Sequence, residues 1–347
     1  YFKNITDNTQ FIEAEYVKSP HPQLELAFGR KFAEQRKEWL RKYDIEERLK
    51  FEPGMTTSIK DFINLEMKHF SNYDNIRSLP NLVDGLKPAQ RKVIYACLKR
   101  NLESEMKVAQ LSGYVAEVTS YHHGENSLVQ TIINLAQDFV GSNNLNLLKP
   151  NGQFGTRLIG GRDASSARYI FTQLNPLTKF IFRKEDEGVL EYLEDDGFKI
   201  EPKVYYPILP TLLINGSEGI GTGFSTLVHN YSVNDLIDVV ENMLDNRPIQ
   251  KIDPSFKDFK GKIEKVDKYT YITKGVYEIK DNTLIIKELP VKVWTTNYKV
   301  FLEDLLYEKN DPFFSSLSNQ SSDQDVYFVL KIRDMEKVKK MATTPYK

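Results

Sequence analysis

Residues 124–139, with the sequence GENSLVQTIINLAQDF, decide the fold of this chain. The apolar residues recur at helical spacing and define one face: Leu128, Val129, Ile132, Ile133, Ala136 and Phe139. The polar residues fall at i, i+3, i+4 and i+7 on the other side: Ser127, Gln130, Thr131 and Asn134. This pattern predicts an amphipathic helix whose outer face is polar but uncharged.

Two further helices are predicted upstream of this one. Pro88 opens a helix through Val93, Ile94 and Cys97, and a second helix runs from about Val108 to Val118. Two short helices, a turn and a polar-faced helix are typical of a helix-turn-helix module. Hydroxyl and amide side chains such as Ser127 and Gln130 suit contacts with nucleic-acid backbone and grooves. The alternative is an ordinary surface helix.

Downstream, residues 151–157 (NGQFGTR) and 160–170 (GGRDASSARYI) place a tyrosine beside an arginine among glycines and small residues. Such a run lets backbone approach a bulky ligand closely. Tyr169 is therefore a candidate nucleophile, and the Arg168 cation next to it would favour the phenolate. The pair alone is weak evidence, because the chain has 19 tyrosines.

The flanking regions have different patterns. Residues 24–50 predict one or two solvated amphipathic helices, and residues 52–60 predict a connector. Beyond Tyr205 we predict a helix over Asn234 to Met243 and a loop over Asn310 to Asp325. Strands are predicted over Thr211 to Asn215, Gly275 to Lys280, Asn282 to Glu288 and Val326 to Ile332.

The composition narrows the class of protein. With 40% hydrophobic and 27% charged residues the chain is typical of globular proteins, and no apolar run suggests a membrane span. Its one cysteine, Cys97, is expected in the core and excludes a disulfide framework or a cysteine-built metal site. We expect a fragment of a longer polypeptide of two or three domains, since the first residue is Tyr1.

Charge is distributed unevenly, although the net charge is −1. Residues 77–170 hold 11 Lys and Arg against 7 Asp and Glu, whereas residues 171–347 hold 24 against 28. The basic excess around Tyr169 fits a local phosphate-binding surface, with a merely solvated face as the alternative.

Four segments carry candidate chemistry: residues 75–80 (NIRSLP), 84–92 (DGLKPAQRK), 121–125 (YHHGE) and the Arg168-Tyr169 segment. They combine a tyrosine nucleophile, arginines for a phosphorane and a histidine that moves or orients a proton. Attack by Tyr169 on a DNA phosphodiester would exchange one phosphodiester for another, so resealing needs no separate activation.

These segments resemble the DNA breakage and rejoining region of type IIA DNA topoisomerases, in the eukaryotic DNA topoisomerase II form. The similarity follows in order through the spans Asn75 to Arg100, Lys107 to Gly141, Leu148 to Leu174, Pro207 to Thr226 and Ile285 to Trp294. The resemblance implies that Tyr169 forms a 5′-phosphotyrosyl link, that Arg168 assists it, and that Arg77 and His123 complete the site with residues of a partner subunit.

The resemblance also implies an α+β fold, with a helical winged-helix DNA-binding domain followed by an α/β tower domain. We expect the tail of a metal-binding Toprim domain and a connector in residues 1–60, the winged-helix domain in 61–206 and a truncated tower in 207–347. The acidic metal motifs, the ATPase domain and the dimer-closing coiled coil of the family are missing from the sequence. Mg²⁺ and ATP are therefore expected to bind the full-length enzyme outside this chain, and no metal ligands are assigned here.

Further residues are expected to contact DNA. Lys87, Arg91, Lys92 and His122 are assigned to this role, as are Ser127 and Gln130 on the polar helix face. The alternatives are helix-surface charges for the three cations, a structural role for His122 and His123, and an ordinary ion pair for Arg77.

Residues 215–223 (NGSEGIGTG) lack the spacing of a dinucleotide or phosphate loop. Ile220, between glycines, suits a wedge between base pairs, as the matching isoleucine does in the family. The alternative is a core residue.

The predicted function is cleavage and religation by a homodimeric, ATP-dependent type II DNA topoisomerase that passes one duplex through another. A catalytically silent DNA-bending module is disfavoured by intact Arg77, His123, Arg168 and Tyr169. The related meiotic break-forming transesterase is disfavoured by the Ile220 loop and the tower-like strands. The resemblance implies duplex DNA as partner, no membrane, and a nuclear location, with a viral copy in host cytoplasm as the alternative.

Overall fold

The computed structural model describes residues 13–14, 21–50, 56–307 and 313–343. In these ranges the helices are α1 (Pro22–Phe28), α2 (Ala33–Arg41), α3 (Ile59–Phe62), α4 (Lys68–Ser78), α5 (Pro88–Arg100), α6 (Val108–Thr119), α7 (Glu125–Ala136), α8 (Pro176–Ile181), α9 (Thr211–Asn215), α10 (Val233–Leu244), α11 (Thr295–Leu306) and α12 (Met335–Thr343). A π-helical turn, Ile63–Met67, joins α3 to α4.

The strands in the same ranges are β1 (Glu13–Ala14), β2 (Thr56–Thr57), β3 (Met106–Lys107), β4 (Leu148–Asn151), β5 (Phe171–Leu174), β6 (Tyr192–Asp195), β7 (Phe198–Pro202), β8 (Ser217–Ile220), β9 (Ser225–Val228), β10 (Lys262–Lys265), β11 (Tyr271–Lys274), β12 (Val276–Lys280), β13 (Thr283–Glu288), β14 (Phe314–Asn319) and β15 (Phe328–Ile332). The fold is of the mixed α+β class, as the sequence predicts.

Contacts divide the chain into two compact units. The first contains Tyr1–Asn81 and Ser217–Leu227, and the second contains Leu82–Gly216 and Val228–Lys347. The first unit packs its described helices around a small core of Ala27, Trp39, Leu40 and Ile63. Phe224, from the β8–β9 turn, packs against that core. The three domain ranges predicted from the sequence stay predictions.

The second unit has a helical core formed by α5, α6 and α7. Its fully buried residues include Val93, Ile94, Leu111, Leu128 and Ile132. An antiparallel sheet in the order β3-β5-β4 flanks these helices. Three helices beside a small sheet are the expected plan of a helix-turn-helix domain with a wing.

A second core lies in the same unit, beneath the antiparallel sheet β12-β13-β15-β14. Leu284 and Ile286 of β13 alternate inward with the period of two that a half-buried strand requires. Phe328 and Leu330 of β15 do the same opposite them, and Leu302 of α11 closes the cluster.

Most predicted elements are confirmed. α5 begins at Pro88, α6 and α7 span the two predicted downstream helices, and α10 covers Asn234 to Met243. The strands predicted over Gly275 to Lys280, Asn282 to Glu288 and Val326 to Ile332 are β12, β13 and β15, with β15 beginning only at Phe328. α1 and α2 lie in the predicted helical region 24–50, while residues 52–55 of the predicted connector lie outside the described residues.

Two predictions are wrong. Thr211–Asn215 is the short helix α9 and not a strand, because the Pro210 carbonyl accepts hydrogen bonds from Leu213 and Ile214. A five-residue apolar run does not distinguish the two states by its period. The predicted loop Asn310 to Asp325 contains β14, whose polar residues are paired with β15 through the backbone. Residues 310–312 of that loop lie outside the described residues.

The buried thiol of Cys97 supplies a test of the helical core. Burial raises the pKa of the Cys97 thiol to about 12, so that the reactive thiolate is scarce at neutral pH. We expect iodoacetamide to alkylate Cys97 far more slowly in the native chain than in the chain unfolded in guanidinium chloride, as measured by intact mass. Equal labelling rates in the two samples would show that this helix face is open to solvent.

Candidate active site

Tyr169 lies in the loop between β4 and β5, on backbone that is hydrogen-bonded on both sides of it. The amides of Val108 and Ala109 donate to the carbonyls of Ile170 and Ala167, at 3.0 and 3.1 Å. These are the first two amides of α6, whose N-cap residue provides no side-chain acceptor. The tyrosine segment thus caps α6, while the Tyr169 side chain itself is 72% exposed. Its backbone is fixed and its hydroxyl is accessible to a ligand.

The electrostatic setting of Tyr169 suits an anion. The amino end of a helix carries partial positive charge, and here α6 begins directly against the backbone that flanks Tyr169. Arg168 is exposed beside it and adds a full positive charge. A phosphate that approaches the Tyr169 hydroxyl would meet a guanidinium capable of bidentate hydrogen bonding.

The glycines of this loop have a role that differs from the one predicted. Gly155 has φ +99° and packs against the backbone of Gly161, and Gly160 packs against the Trp294 ring, with no space for a methyl group at either position. Asp163 closes the loop by accepting hydrogen bonds from the amide and hydroxyl of Thr156, at 2.8 and 2.5 Å. The glycines therefore let the loop fold on itself and on its neighbours, whereas the sequence suggested close approach to a ligand.

The predicted residues around the start of α7 lie on the surface of the second unit. Ser127 and Gln130 are exposed on the outer face of α7, opposite buried Leu128 and Ile132, as the helical period predicts. The Ser127 hydroxyl accepts a hydrogen bond from the Tyr121 hydroxyl at 3.2 Å, and Gln130 donates to Asn134 at 2.8 Å. The outer face is therefore a connected row of hydroxyl and amide groups.

The two histidines precede this face and are both exposed. His122 Nε2 lies 3.5 Å from Asp195 Oδ2. The His123 ring meets the Tyr121 ring edge to face, with centroids 5.6 Å apart. Tyr121 thus touches both His123 and Ser127 and holds the start of α7 and the histidine in one arrangement.

Two of the three predicted DNA-binding cations of α5 are instead turned inward. Arg91 is buried, and its guanidinium binds both Asp84 oxygens, at 2.6 and 2.9 Å, as well as the Leu86 carbonyl. The half-buried Lys92 ammonium donates to the Thr119 carbonyl and to Glu201, at 2.6 and 2.9 Å. Because these donors are used inside the domain, Arg91 and Lys92 favour structural roles over phosphate contact. Lys87 is half-buried at the N-cap of α5.

Asp84 is the acceptor around which this region is built. Besides Arg91, its carboxylate accepts the amides of Leu86 and Tyr205, each at 3.0 Å, and its own carbonyl accepts the Thr211 hydroxyl at 2.5 Å. The carboxylate is fully buried, so an unpaired charge there would be costly. The sequence placed Asp84 in a candidate segment without a role, since its partners lie up to 127 residues away.

Arg77 and Ile220 belong to the first unit. Arg77 is exposed in the last turn of α4. Ile220 ends β8 and is 78% exposed, which excludes the alternative of a core residue. Both side chains are available to a ligand of this unit.

A buried ion pair that the sequence did not indicate anchors the tyrosine loop to the second core. Arg157 and Glu288 are 5% and 1% exposed, and the Arg157 guanidinium binds Glu288 Oε1. The amides of Leu289 and Lys260 donate to the same carboxylate, at 2.9 and 3.2 Å. No local signal could reveal a pair separated by 131 residues. Only the placement of Arg157 in the candidate loop pointed to it.

Neither a metal centre nor a membrane segment is evident where the structure describes the chain. Those residues contain no group of three or more His, Cys, Asp or Glu arranged to hold an ion. None of the described helices combines the length and apolar character needed to cross a bilayer.

Comparisons with known proteins identify relatives of both parts of the chain. The family described as DNA gyrase/topoisomerase IV matches residues 77–347, and the C-terminal associated domain of TOPRIM matches residues 1–75. DNA topoisomerase 2 of Plasmodium falciparum (isolate K1 / Thailand) is 49% identical over 311 residues, which cover 89% of this chain and 22% of that protein. DNA topoisomerase 2 of Arabidopsis thaliana is 48% identical over 316 residues, with 88% and 21% covered.

The chain therefore spans about a fifth of the length of these curated relatives. Among solved structures, the crystal structure of the Plasmodium falciparum topoisomerase II DNA-binding, cleavage and re-ligation domain is similar, with a TM-score of 0.84 and 46% identity. The match covers 99% of this chain and 46% of that one.

The Arg157–Glu288 pair generates a stability prediction. Glu288→Gln keeps the side-chain size but leaves the Arg157 charge buried without a counter-ion, which should lower the free energy of unfolding by about 3–5 kcal/mol. Arg157→Met combined with Glu288→Met removes both charges and should recover part of that loss. Urea unfolding followed by circular dichroism measures all three.

The matched control is Asp325→Asn, which breaks the exposed ion pair with Lys260 near the same loop. Screening by water makes such pairs weak, so the unfolding midpoint should hardly move. A Glu288→Gln variant as stable as this control would contradict the role assigned to the buried pair.

Proposed function

The chain belongs to the DNA gyrase/topoisomerase IV family of type II DNA topoisomerases, and on this premise we propose that it forms the DNA cleavage and religation part of such an enzyme. The substrate is duplex DNA, and the protein acts as a homodimer in which each protomer cuts one strand. The enzyme is ATP-dependent, changes DNA topology by passing one duplex through another, and works in the nucleus.

One feature of the molecule carries most weight for this proposal. Tyr169 is largely exposed, yet its backbone is held by the hydrogen bonds of Ala167 and Ile170 to the first turn of α6. A nucleophile must be presented to a large substrate without losing its orientation, because misplacement by about 1 Å can cost two orders of magnitude in rate. An exposed surface tyrosine with no other function would not need this support.

The proposed reaction is a transesterification. The Tyr169 hydroxyl oxygen attacks a backbone phosphorus, a bond from phosphorus to tyrosine forms, and the bond to the 3′ oxygen breaks. His123 accepts the phenolic proton, and a proton returns to the leaving 3′ oxygen. Arg168 and Arg77 neutralise the non-bridging oxygens, since charge stabilisation is the main requirement of phosphoryl transfer. Religation is the reverse, with the 3′ hydroxyl as nucleophile.

Metal and nucleotide are proposed to bind outside this chain. Where it is described, the chain offers no acidic cluster that fits Mg²⁺, so no step above depends on the ion. When bound by the full-length enzyme, Mg²⁺ would supply charge stabilisation at the leaving oxygen. ATP would likewise bind a part of the enzyme that these residues do not contain.

DNA is proposed to lie against two surfaces of the chain. The outer face of α7, with Ser127 and Gln130, suits sequence-tolerant contacts from hydroxyl and amide groups, together with His122 and Lys87. The exposed Ile220 suits insertion between base pairs, which unstacks them and bends the duplex. Strong bending with few base contacts would make recognition depend on DNA deformability more than on sequence.

The proposed nucleophile is tested by Tyr169→Phe in the full-length protein. Incubation with supercoiled DNA, Mg²⁺ and ATP followed by denaturation should give linear DNA with protein on its 5′ ends for the wild type. The variant lacks only the nucleophilic oxygen, so we expect no adduct but unchanged DNA binding. Tyr277→Phe is the matched control, because Tyr277 is also an exposed tyrosine of this chain. An adduct that persists in Tyr169→Phe rules out the assignment.

Ile220→Ala tests the proposed wedge. Unstacking a base step costs on the order of a few kcal/mol, which the contacts of a bent duplex offset. Alanine removes both the cost and part of the gain, so the bend angle should fall more than the affinity does. Fluorescence transfer between the labelled ends of a duplex measures the angle. The melting temperature should stay the same, since Ile220 is exposed. Unchanged bending, or a marked loss of stability, would contradict the wedge.

A further inference from the structure

In the first unit, α4 is bonded side chain to backbone with the β8–β9 turn. Asn75 Nδ2 donates to the Thr222 carbonyl at 3.1 Å, and the Thr222 hydroxyl donates to Asp74 Oδ2 at 2.9 Å. The other Asp74 oxygen accepts the Ser78 hydroxyl at 3.1 Å. Asp74 and Asn75 therefore fix the turn from two directions, while Ser78 fixes Asp74.

The two glycines that flank Ile220 tighten the same contact. Gly219 lies against the Ser78 carbonyl, and Gly221 lies against the Asn75 side chain. Neither position has space for a methyl group. The glycines next to Ile220 thus serve close approach of β8 to α4, whereas flexibility of the hairpin would leave this space open.

Ile220 and Arg77 consequently share one support. Arg77 is exposed in the α4 turn that also contains Asp74, Asn75 and Ser78. Beyond Ile220, the Gly221 amide donates to the Phe224 carbonyl at 2.9 Å, and Phe224 packs on the core of the unit. The hairpin is held on one side by α4 and on the other by the core.

We propose that Asp74, Asn75 and Thr222 are positioning residues that hold the Ile220 side chain at a set distance from Arg77. A wedge can open a base step only if its support resists the restoring force of stacking. A fixed support also links the two contacts: opening a step with Ile220 brings the phosphate at a constant spacing to Arg77. This inference rests on the proposed function, since it assigns a support to the proposed wedge and phosphate contact.

The test uses Thr222→Val in the full 347-residue chain. Valine keeps the shape of threonine but cannot donate to Asp74. The change in end-to-end fluorescence transfer of a labelled duplex and the dissociation constant are measured for the wild type, Thr222→Val, Ile220→Ala and the double variant. Ser225→Ala is the matched control, because Ser225 is an exposed hydroxyl residue of the same hairpin. Asp74→Asn is a second variant with the same expected direction, since the amide is a weaker acceptor.

Thr222→Val should lose at least about half of the bending that Ile220→Ala loses, although Ile220 is intact, while affinity falls less than about threefold because phosphate contacts dominate it. The double variant should bend the duplex no less than Ile220→Ala alone, because Thr222 acts through Ile220. Ser225→Ala should match the wild type. Additive losses in the double variant, or full bending by both Thr222→Val and Asp74→Asn, would overturn the inference.

The cycle of Arg77→Ala with Ile220→Ala gives an independent readout. Their effects on affinity should be non-additive in the wild-type background and additive in the Thr222→Val background. Equal coupling in both backgrounds would also overturn the inference. A wild-type chain that leaves the duplex straight would instead contradict the proposed function itself, and the inference with it.

Discussion

The structure around Tyr169 depends on the way two helices begin. α6 has no side-chain cap, and its first amides donate to Ala167 and Ile170. α11 also lacks a side-chain cap, and the amides of Thr295 and Thr296 donate to the carbonyls of Arg157 and Leu158, at 3.4 and 2.9 Å. Residues 157–170 therefore satisfy the free amides of helices from two different cores. Loss of this loop would leave both helix ends without acceptors, so the loop cannot relax without cost.

The need to pair buried charge sorts the cations of the second unit into two groups. Arg91 and Arg157 are buried, and each meets a carboxylate that backbone amides also bind. A buried guanidinium without such partners would be strongly destabilising. Arg168, in contrast, lies at the surface beside Tyr169. Burial thus separates the cations that build the domain from a cation that can meet a phosphate, although the sequence shows all of them as basic residues near conspicuous motifs.

Much of the fold and part of the site could be predicted, because the relevant patterns are local. The period of α7 gave both its buried Leu128 and its exposed Gln130, and Pro88 marked the start of α5. The errors arose where distant partners decide the outcome. Thr211 is helical under Pro210 and bonds to Asp84, β14 is a strand because it pairs with β15, and Arg91 turns inward to Asp84. The Arg157–Glu288 pair and the Thr222 contacts with α4 are of the same kind.

The most direct measurement is identification of the residue that becomes linked to DNA. The full-length protein is trapped on duplex DNA with denaturant, digested with nuclease and protease, and the modified peptide is sequenced by mass spectrometry. We predict a single modified peptide in this chain, with a nucleotide 5′ phosphate on the oxygen of Tyr169. A link to any other residue, or through a 3′ phosphate, would contradict the assignment of the loop between β4 and β5 as the element that presents the nucleophile.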